Sequence, residues 1–345
     1  MIQARAHSDL SSKEVSWQSR VLFDALTDDK LELTLFPTEH CNFRCTYCYE
    51  DFSIGRMSPS VVGGVKELIR NRSADLSQLQ ISWFGGEPLI AYDIVLDINR
   101  YASEISAKND IELVIGMTTN GYALSEVRLI ELYGSGLRHY QISLDGFGEA
   151  HDRTRLRADG KGTFDVIWSN LLTYERLRND GILNQSEALL RLHVHPENPE
   201  SSLELARAIR EHLSPANFSY LIKNVGYYGG KNDGKFDIFK HGAVEFADLK
   251  SQINEILSPF MPDSPGSDVH VCYAAKANAF TVRADGRVGK CTVALQNPRN
   301  DIGSINSDGS ITFDGKRAGL WLHAIQSLSQ DDLACPLPNL PQLAP

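Results

Sequence analysis

The chain has 345 residues, long for one compact core, so a large domain with a smaller companion is the first expectation. Its formal net charge of −10 argues against a nucleic-acid partner and against attraction to an anionic membrane surface. No apolar run approaches the ~18–20 residues that span a bilayer. The polar start MIQARAHSDLSSKEVSWQ lacks the apolar stretch of a secretory signal, so a cytoplasmic protein is expected.

Residues 1–30 read as a polar lead-in. LELTLF (31–36) then branches and alternates like a strand and runs straight into three cysteines, at 41, 45 and 48. A rhythm follows. Helical spacing at 61–72 gives way to a strand at 79–84, a helix at 92–108 and a strand at 111–118. A helix at 125–136, a strand at 138–144, a helix at 164–180 and a strand at 187–195 continue it, before a helix at 201–213 and a strand at 217–225. Six strands alternating with helices imply repeated βαβ units and a parallel sheet. Right-handed crossovers allow either an open doubly wound sheet or an incomplete barrel. In both, ligands sit at the C-terminal ends of the strands, where the unusual residues of this chain lie.

Residues 226–242 are rich in glycine and charge and read as a linker or active-site loop, followed by a helix at 243–257 and a second break at 258–268. From 269 the texture changes to short strands and turns, with hairpin signals at Asp285-Gly286 and Asp308-Gly309. The expected division is therefore a lead-in (1–30), an α/β unit (31–225), a linker with a bridging helix (226–268) and a small β-rich module (269–345).

Six cysteines in a reducing compartment are not expected to form disulfides. Three sit at 41, 45 and 48 and three at 272, 291 and 335, which suggests two separate metal-binding jobs. A structural zinc site usually needs four ligands, and no Cys or His completes the first set in register, although His40 is adjacent. A [4Fe–4S] cube held by three thiolates leaves one iron free for another ligand.

The stretch CNFRCTYCYE, with Tyr47 before its last cysteine, resembles the signature of the radical S-adenosylmethionine (SAM) enzymes. The resemblance implies a partial (β/α)6 TIM-like barrel, a [4Fe–4S] cluster on Cys41, Cys45 and Cys48, and SAM chelating the fourth iron. Zinc completed by His40 remains the alternative. WFGGEP after the second strand matches the family's SAM-binding turn and implies SAM contacts from Gly85, Gly86, Glu87 and Pro88. Paired glycines let backbone approach a ligand, and the acid accepts from an ammonium. TTNG and SLDG end the third and fourth strands, implying contacts from Thr119, Asn120, Ser143 and Asp145 to the ribose and carboxylate. In HDRTRLRADGKGTFD, Arg155 is assigned to the SAM carboxylate, with Arg153 and Arg157 as register alternatives, while His151 and Asp152 fix the loop. His193 and His195 share one face of the fifth strand and read as packing or polar lining.

Cys272-x13-Gly286-x4-Cys291 resembles the opening of the SPASM and twitch extensions, which hold auxiliary iron–sulfur clusters. The later SPASM pattern is degraded here: Asp332, Cys335, Pro341 and Pro345 occupy its four cysteine positions. One auxiliary [4Fe–4S] cluster on Cys272, Cys291 and Cys335 is the expectation, its fourth iron taken by Asp332, a histidine, water or substrate. A zinc site or a decayed module without a cluster is the alternative. The extension type implies a maturase that abstracts hydrogen from a peptide or protein and cross-links or otherwise matures a ribosomally made peptide. An electron donor such as flavodoxin or ferredoxin would serve it. Dehydrogenation or rearrangement of a small metabolite is the second reading, and a non-catalytic iron–sulfur or zinc scaffold the third.

Overall fold

The computed structural model describes residues 16–260 and 270–342. Most of the lead-in, most of the second break and Pro345 lie outside the described residues. Helix α1 (Trp17–Leu26) opens on Ser16, whose side chain accepts from the Ser19 amide. Six βα steps follow, in the predicted order. They are β1 (Lys30–Leu35), α2 (Pro59–Arg72), β2 (Gln78–Trp83), α3 (Tyr92–Asn109), β3 (Glu112–Thr119) and α4 (Glu126–Gly134). Then come β4 (Leu137–Leu144), α5 (Glu149–Thr154), α6 (Phe164–Asn179), β5 (Glu187–Val194), α7 (Pro199–His212), β6 (Phe218–Asn224) and α8 (Val244–Ile256).

The ends have local causes. Ser58 accepts from the Val61 amide and Pro59 stands at the first helical position, so α2 starts two residues before its apolar periodicity. Asp110 closes α3 in the left-handed conformation, its amide bonded to the Ser106 carbonyl.

Strands β1 to β6 pair in sequence order, and each of these pairs is parallel. A doubly wound sheet would reverse its order at a switch point. This one does not, so the winding is that of a partial barrel, with right-handed crossovers carrying the helices onto one face. Leu31, Leu33 and Leu35 of β1 and Leu79, Ile81 and Trp83 of β2 alternate into the buried layer beneath those helices. The mixed α/β fold expected from the sequence is the fold observed.

The C-terminal segment adds four strands to the same sheet. Strand β7 (Ala279–Val282) lies parallel to β1, and β8 (Arg287–Gly289), β9 (Gly303–Ile305) and β10 (Ile311–Phe313) extend it antiparallel. Gly286 and Gly309 both take positive φ in the turns marked by Asp-Gly. Three short helices that the sequence reading lacked complete the segment: α9 (Gly315–Leu320), α10 (His323–Ser327) and α11 (Gln330–Ala334). At five or six residues each, they are too short to show a period. No described helix is long and apolar enough to cross a membrane.

Candidate active site

The three N-terminal cysteines lie in the loop after β1, which has no regular structure of its own. Backbone bonds from Arg44 to the Leu156 carbonyl, Thr46 to Thr154 and Ala158 to Asn42 strap it to the segment after α5. On the other side, the Glu87 amide bonds to the His40 carbonyl. A Cβ on Gly85 would meet the Thr38 carbonyl at 2.5 Å, and one on Gly86 would collide with the His40 carbonyl. The close approach that requires both glycines is thus to the cysteine loop itself.

A cavity of about 210 Å3 opens over this loop at the C-terminal ends of the strands. Cys41, Cys45, Cys48, Tyr47, Gly85, Gly86, Thr119, Asn120, Ser143 and Arg155 line it, so most of the residues picked from sequence come together. Glu87, Pro88 and Asp145 stand behind the wall. The Glu87 carboxylate, read from sequence as an acceptor for an ammonium, accepts from the Leu89 amide (3.0 Å), the Thr119 hydroxyl (2.8 Å) and the Asn120 amide (2.8 Å). It staples the turn after β2 to the turn after β3. Burial pushes its carboxyl up, against those three bonds.

Asp145 is the hub behind Tyr47. It accepts from Tyr47 (2.9 Å), Thr154 (2.8 Å), His193 Nδ1 (3.1 Å) and His195 Nε2 (3.4 Å), and Arg155 lies 3.9 Å away. Burial alone would raise this carboxyl, yet the two histidine bonds and the Arg155 charge hold it well below the usual carboxylate range. A carboxylate only accepts, so both imidazoles present N–H to it. His193 reaches the cavity wall, and burial keeps its pKa near about 4 and the ring neutral. His151 and Asp152 do fix the loop. His151 Nδ1 accepts the Asp145 amide, and Asp152 caps α6 through the Thr163 and Phe164 amides.

Among the three arginines weighed for one carboxylate, only Arg155 reaches the cavity. Arg153 bonds to Asn198, and Arg157 to Tyr122 and Asp159. Arg155 gives Nη1 to the Tyr47 hydroxyl at 2.9 Å, while its buried Nε has no partner. A buried orphan N–H on a guanidinium matches an anionic ligand group. The thiols fit a cationic centre. Burial pushes all three thiols up, Cys48 to about 12, with the charges of Glu87 at Cys41, Asp145 at Cys45 and Cys45 at Cys48 adding to it, a cost that a bound cationic centre would remove. Among the described residues no three His, Cys, Asp or Glu side chains converge on a single ion. A lone zinc on these cysteines needs that convergence; a cube, with one thiolate per iron, does not. His40, the zinc alternative's fourth ligand, is exposed and off the cavity wall.

Several wall residues escaped the sequence reading: Tyr49, Glu50, Arg191, Asn224, Tyr228 and Val293. Arg191 precedes His193 and His195 at the strand period of two, a signal that was available. Glu50 follows the last cysteine by two residues, with no pattern to mark it. Burial lifts its carboxyl to about 8, with the Glu39 charge adding to the effect. The loop after β6 closes this side, where Asn232 donates to the Cys48 carbonyl at 3.0 Å. The C-terminal segment is tied on by a buried pair, Arg283 to Glu39, at 3.0 and 2.5 Å.

Cys335 adds to the upward push on both Cys272 and Cys291, and Cys272 to that on Cys291, each beside the larger effect of burial, so the three lie near one another. The Cys272 amide bonds to the Leu333 carbonyl at 2.8 Å, which brings the end of α11 to the first of the three. Asp332, a candidate fourth ligand, is engaged by Asn339 (2.8 Å) and Ser327 (3.1 Å).

A family model for the Radical SAM superfamily matches residues 35–209, just over half of the chain. A GTP 3′,8-cyclase of Microcystis aeruginosa is 31% identical over 156 residues, 44% of this chain and 45% of the relative, so the chain spans less than half of that relative's length. In fold, the chain is similar to anSMEcpe solved with bound AdoMet and the Cp18Cys peptide, at a TM-score of 0.62 and 16% identity, covering 90% of this chain and 87% of the other. It is also similar to Streptococcus suis SuiB bound to the precursor peptide SuiA, at a TM-score of 0.55 and 13% identity, covering 87% and 68%. Cysteine loop, strand-end turns and matched region agree: this chain belongs to the Radical SAM superfamily.

Proposed function

We propose that this chain is a radical SAM maturase that abstracts hydrogen from a peptide and cross-links or otherwise modifies it. The observation that carries the reading is the cavity, which the three-cysteine loop, Arg155 and the C-terminal residues Thr292 and Val293 line together. Cys41, Cys45 and Cys48 would hold the [4Fe–4S] cluster, and Arg155, Ser143, Asn120 and the Gly85–Gly86 backbone would hold SAM. Together these groups supply a 5′-deoxyadenosyl radical able to take hydrogen from an unactivated C–H bond. The chain's own part is to bind, orient and keep water out. Tyr47, locked by Asp145 and Arg155, backs the cysteine loop, and the loop after β6 covers it.

A peptide substrate is supported by the two peptide-bound structures of similar fold. An open groove beside the cavity, bounded by Tyr227, Ala294 and Leu337, also supports it, since it shares Tyr228 and Val293 with the cavity wall. We assign one auxiliary [4Fe–4S] cluster to Cys272, Cys291 and Cys335, and a flavodoxin or ferredoxin as electron donor. The cyclase relative favours a second reading, a small-metabolite substrate.

The test is anaerobic reconstitution with iron and sulfide, then SAM, dithionite and a short peptide encoded beside the gene. Loss of two hydrogens from that peptide is the expected result. Turnover of a small metabolite with the peptide unchanged would overturn the peptide reading. Iron content of Cys272→Ala, expected to fall by about four per chain, tests the auxiliary site; unchanged iron removes it.

A further inference from the structure

The cavity wall that Arg155 lines also holds a buried carboxyl with an unpartnered oxygen. Glu50 is 6% exposed, and its Oε2 has no hydrogen-bond partner. The charged groups acting on it are Glu39, Asp51 and Arg283. Arg283 is already spent: it grips Glu39 with two nitrogens and gives the third to the Leu295 carbonyl at 3.2 Å. Glu39, Asp51 and Glu50 therefore share one guanidinium that is already committed, and Arg191, on the same wall, is among the groups acting on Tyr49 rather than on Glu50. An unsatisfied buried acid is costly to keep, so a partner from outside the chain accounts for it best.

The neighbours narrow the partner's chemistry. Tyr49 and Tyr228 line the same end and meet edge to face, ring centroids 5.6 Å apart. The Tyr49 hydroxyl is committed to the Thr292 carbonyl at 3.2 Å, so what the cavity meets is ring. Gly230 sits where any Cβ would collide with the Tyr49 backbone, and this holds the loop after β6 tight against that residue. A carboxylate flanked by aromatic rings is a receptor for a cation. Tyr228 is also shared with the outer groove.

We propose that the pocket formed by Glu50, Tyr49 and Tyr228 takes a positively charged side chain of the peptide substrate, a lysine ammonium or an arginine guanidinium. This deepens the peptide reading above and rests on it.

The test needs no turnover. A random octapeptide library is panned on the anaerobically reconstituted protein with SAM and no reductant, and the lysine and arginine content of retained peptides is compared with the input. The chain's net charge of −10 attracts basic peptides in general, and Asp51→Asn, which removes one exposed carboxylate beside the site, calibrates that background. Wild type and Asp51→Asn should enrich basic residues at one position, and Glu50→Gln should not. For the best retained peptide, replacing that residue by norleucine should weaken binding to wild type by about tenfold or more and leave binding to Glu50→Gln unchanged. Tyr228→Leu, a change at an exposed ring, should lower the preference by about two- to threefold. Equal enrichment by wild type and Glu50→Gln, or enrichment of neutral or acidic residues, would overturn the cation site while leaving a peptide enzyme. Retention of no peptide by wild type would overturn both.

Discussion

Asp145 and Glu50 are both buried acids beside the cysteine loop, Glu50 two residues after it and Asp145 bonded to its Tyr47, and they are treated in opposite ways. Asp145 stands behind the cavity wall and accepts from four side chains on three separate segments. Glu50 stands on the wall with an oxygen that meets nothing. Arg155 and Arg191, also on the wall, each leave a buried Nε unpartnered. Unmatched buried atoms also occur off the wall, as at His151 Nε2 and Tyr140, so it is the coincidence of a missing partner with the cavity lining that marks Glu50, Arg155 and Arg191. Glu87, behind the wall with three donors, falls with Asp145.

The comparison breaks most visibly at the hub. Asp145→Asn removes the charge that holds two imidazoles, Tyr47 and Arg155, and should cost about 3–5 kcal/mol of stability, read from denaturant unfolding. A loss below about 1 kcal/mol would mean that the hub is not what fixes the loop. Next, Glu87→Gln keeps shape but offers one acceptor oxygen to donors on two turns, so a loss of about 1–3 kcal/mol is expected. Acid should act in the same sense. The folded protein keeps His151 neutral down to about 4, against 6.5 for the free group, because burial opposes its charge, and His193 is lowered likewise. At these two rings the unfolded chain therefore binds more protons in that window, so their contribution to stability should fall as pH drops from about 6.5 toward 4, while Glu50 and Glu87, raised by burial, act in the opposite sense. His151→Gln should remove its share, read as a melting temperature that gains on wild type as pH drops through that window. Smallest of all is Glu50→Gln, which should leave the melting temperature unchanged or raise it, since no native partner is lost. A drop comparable to that of Asp145→Asn would erase the distinction.

Alternation of strand and helix was legible because each β/α unit buries one face of each element. Strand ends therefore fell within a residue of the observed ones, as for β4 and β5. The parallel pairing of β7 with β1 was not, because about 245 residues separate them and no local pattern records the contact. At the site, motif spacing located the loops but not the atoms. It gave Asp145 as a ligand contact but could not show the bonds from His193 and His195, some 50 residues on, that engage its carboxylate. Glu50 and Arg191 became visible only once burial and missing partners could be seen together.

The most direct measurement is 5′-deoxyadenosine formed from SAM by the anaerobically reconstituted protein with dithionite, wild type against Cys45→Ala. Formation by wild type well above the level of the variant is the predicted result. Wild type no higher than Cys45→Ala, with iron bound in full, would contradict the account at its centre.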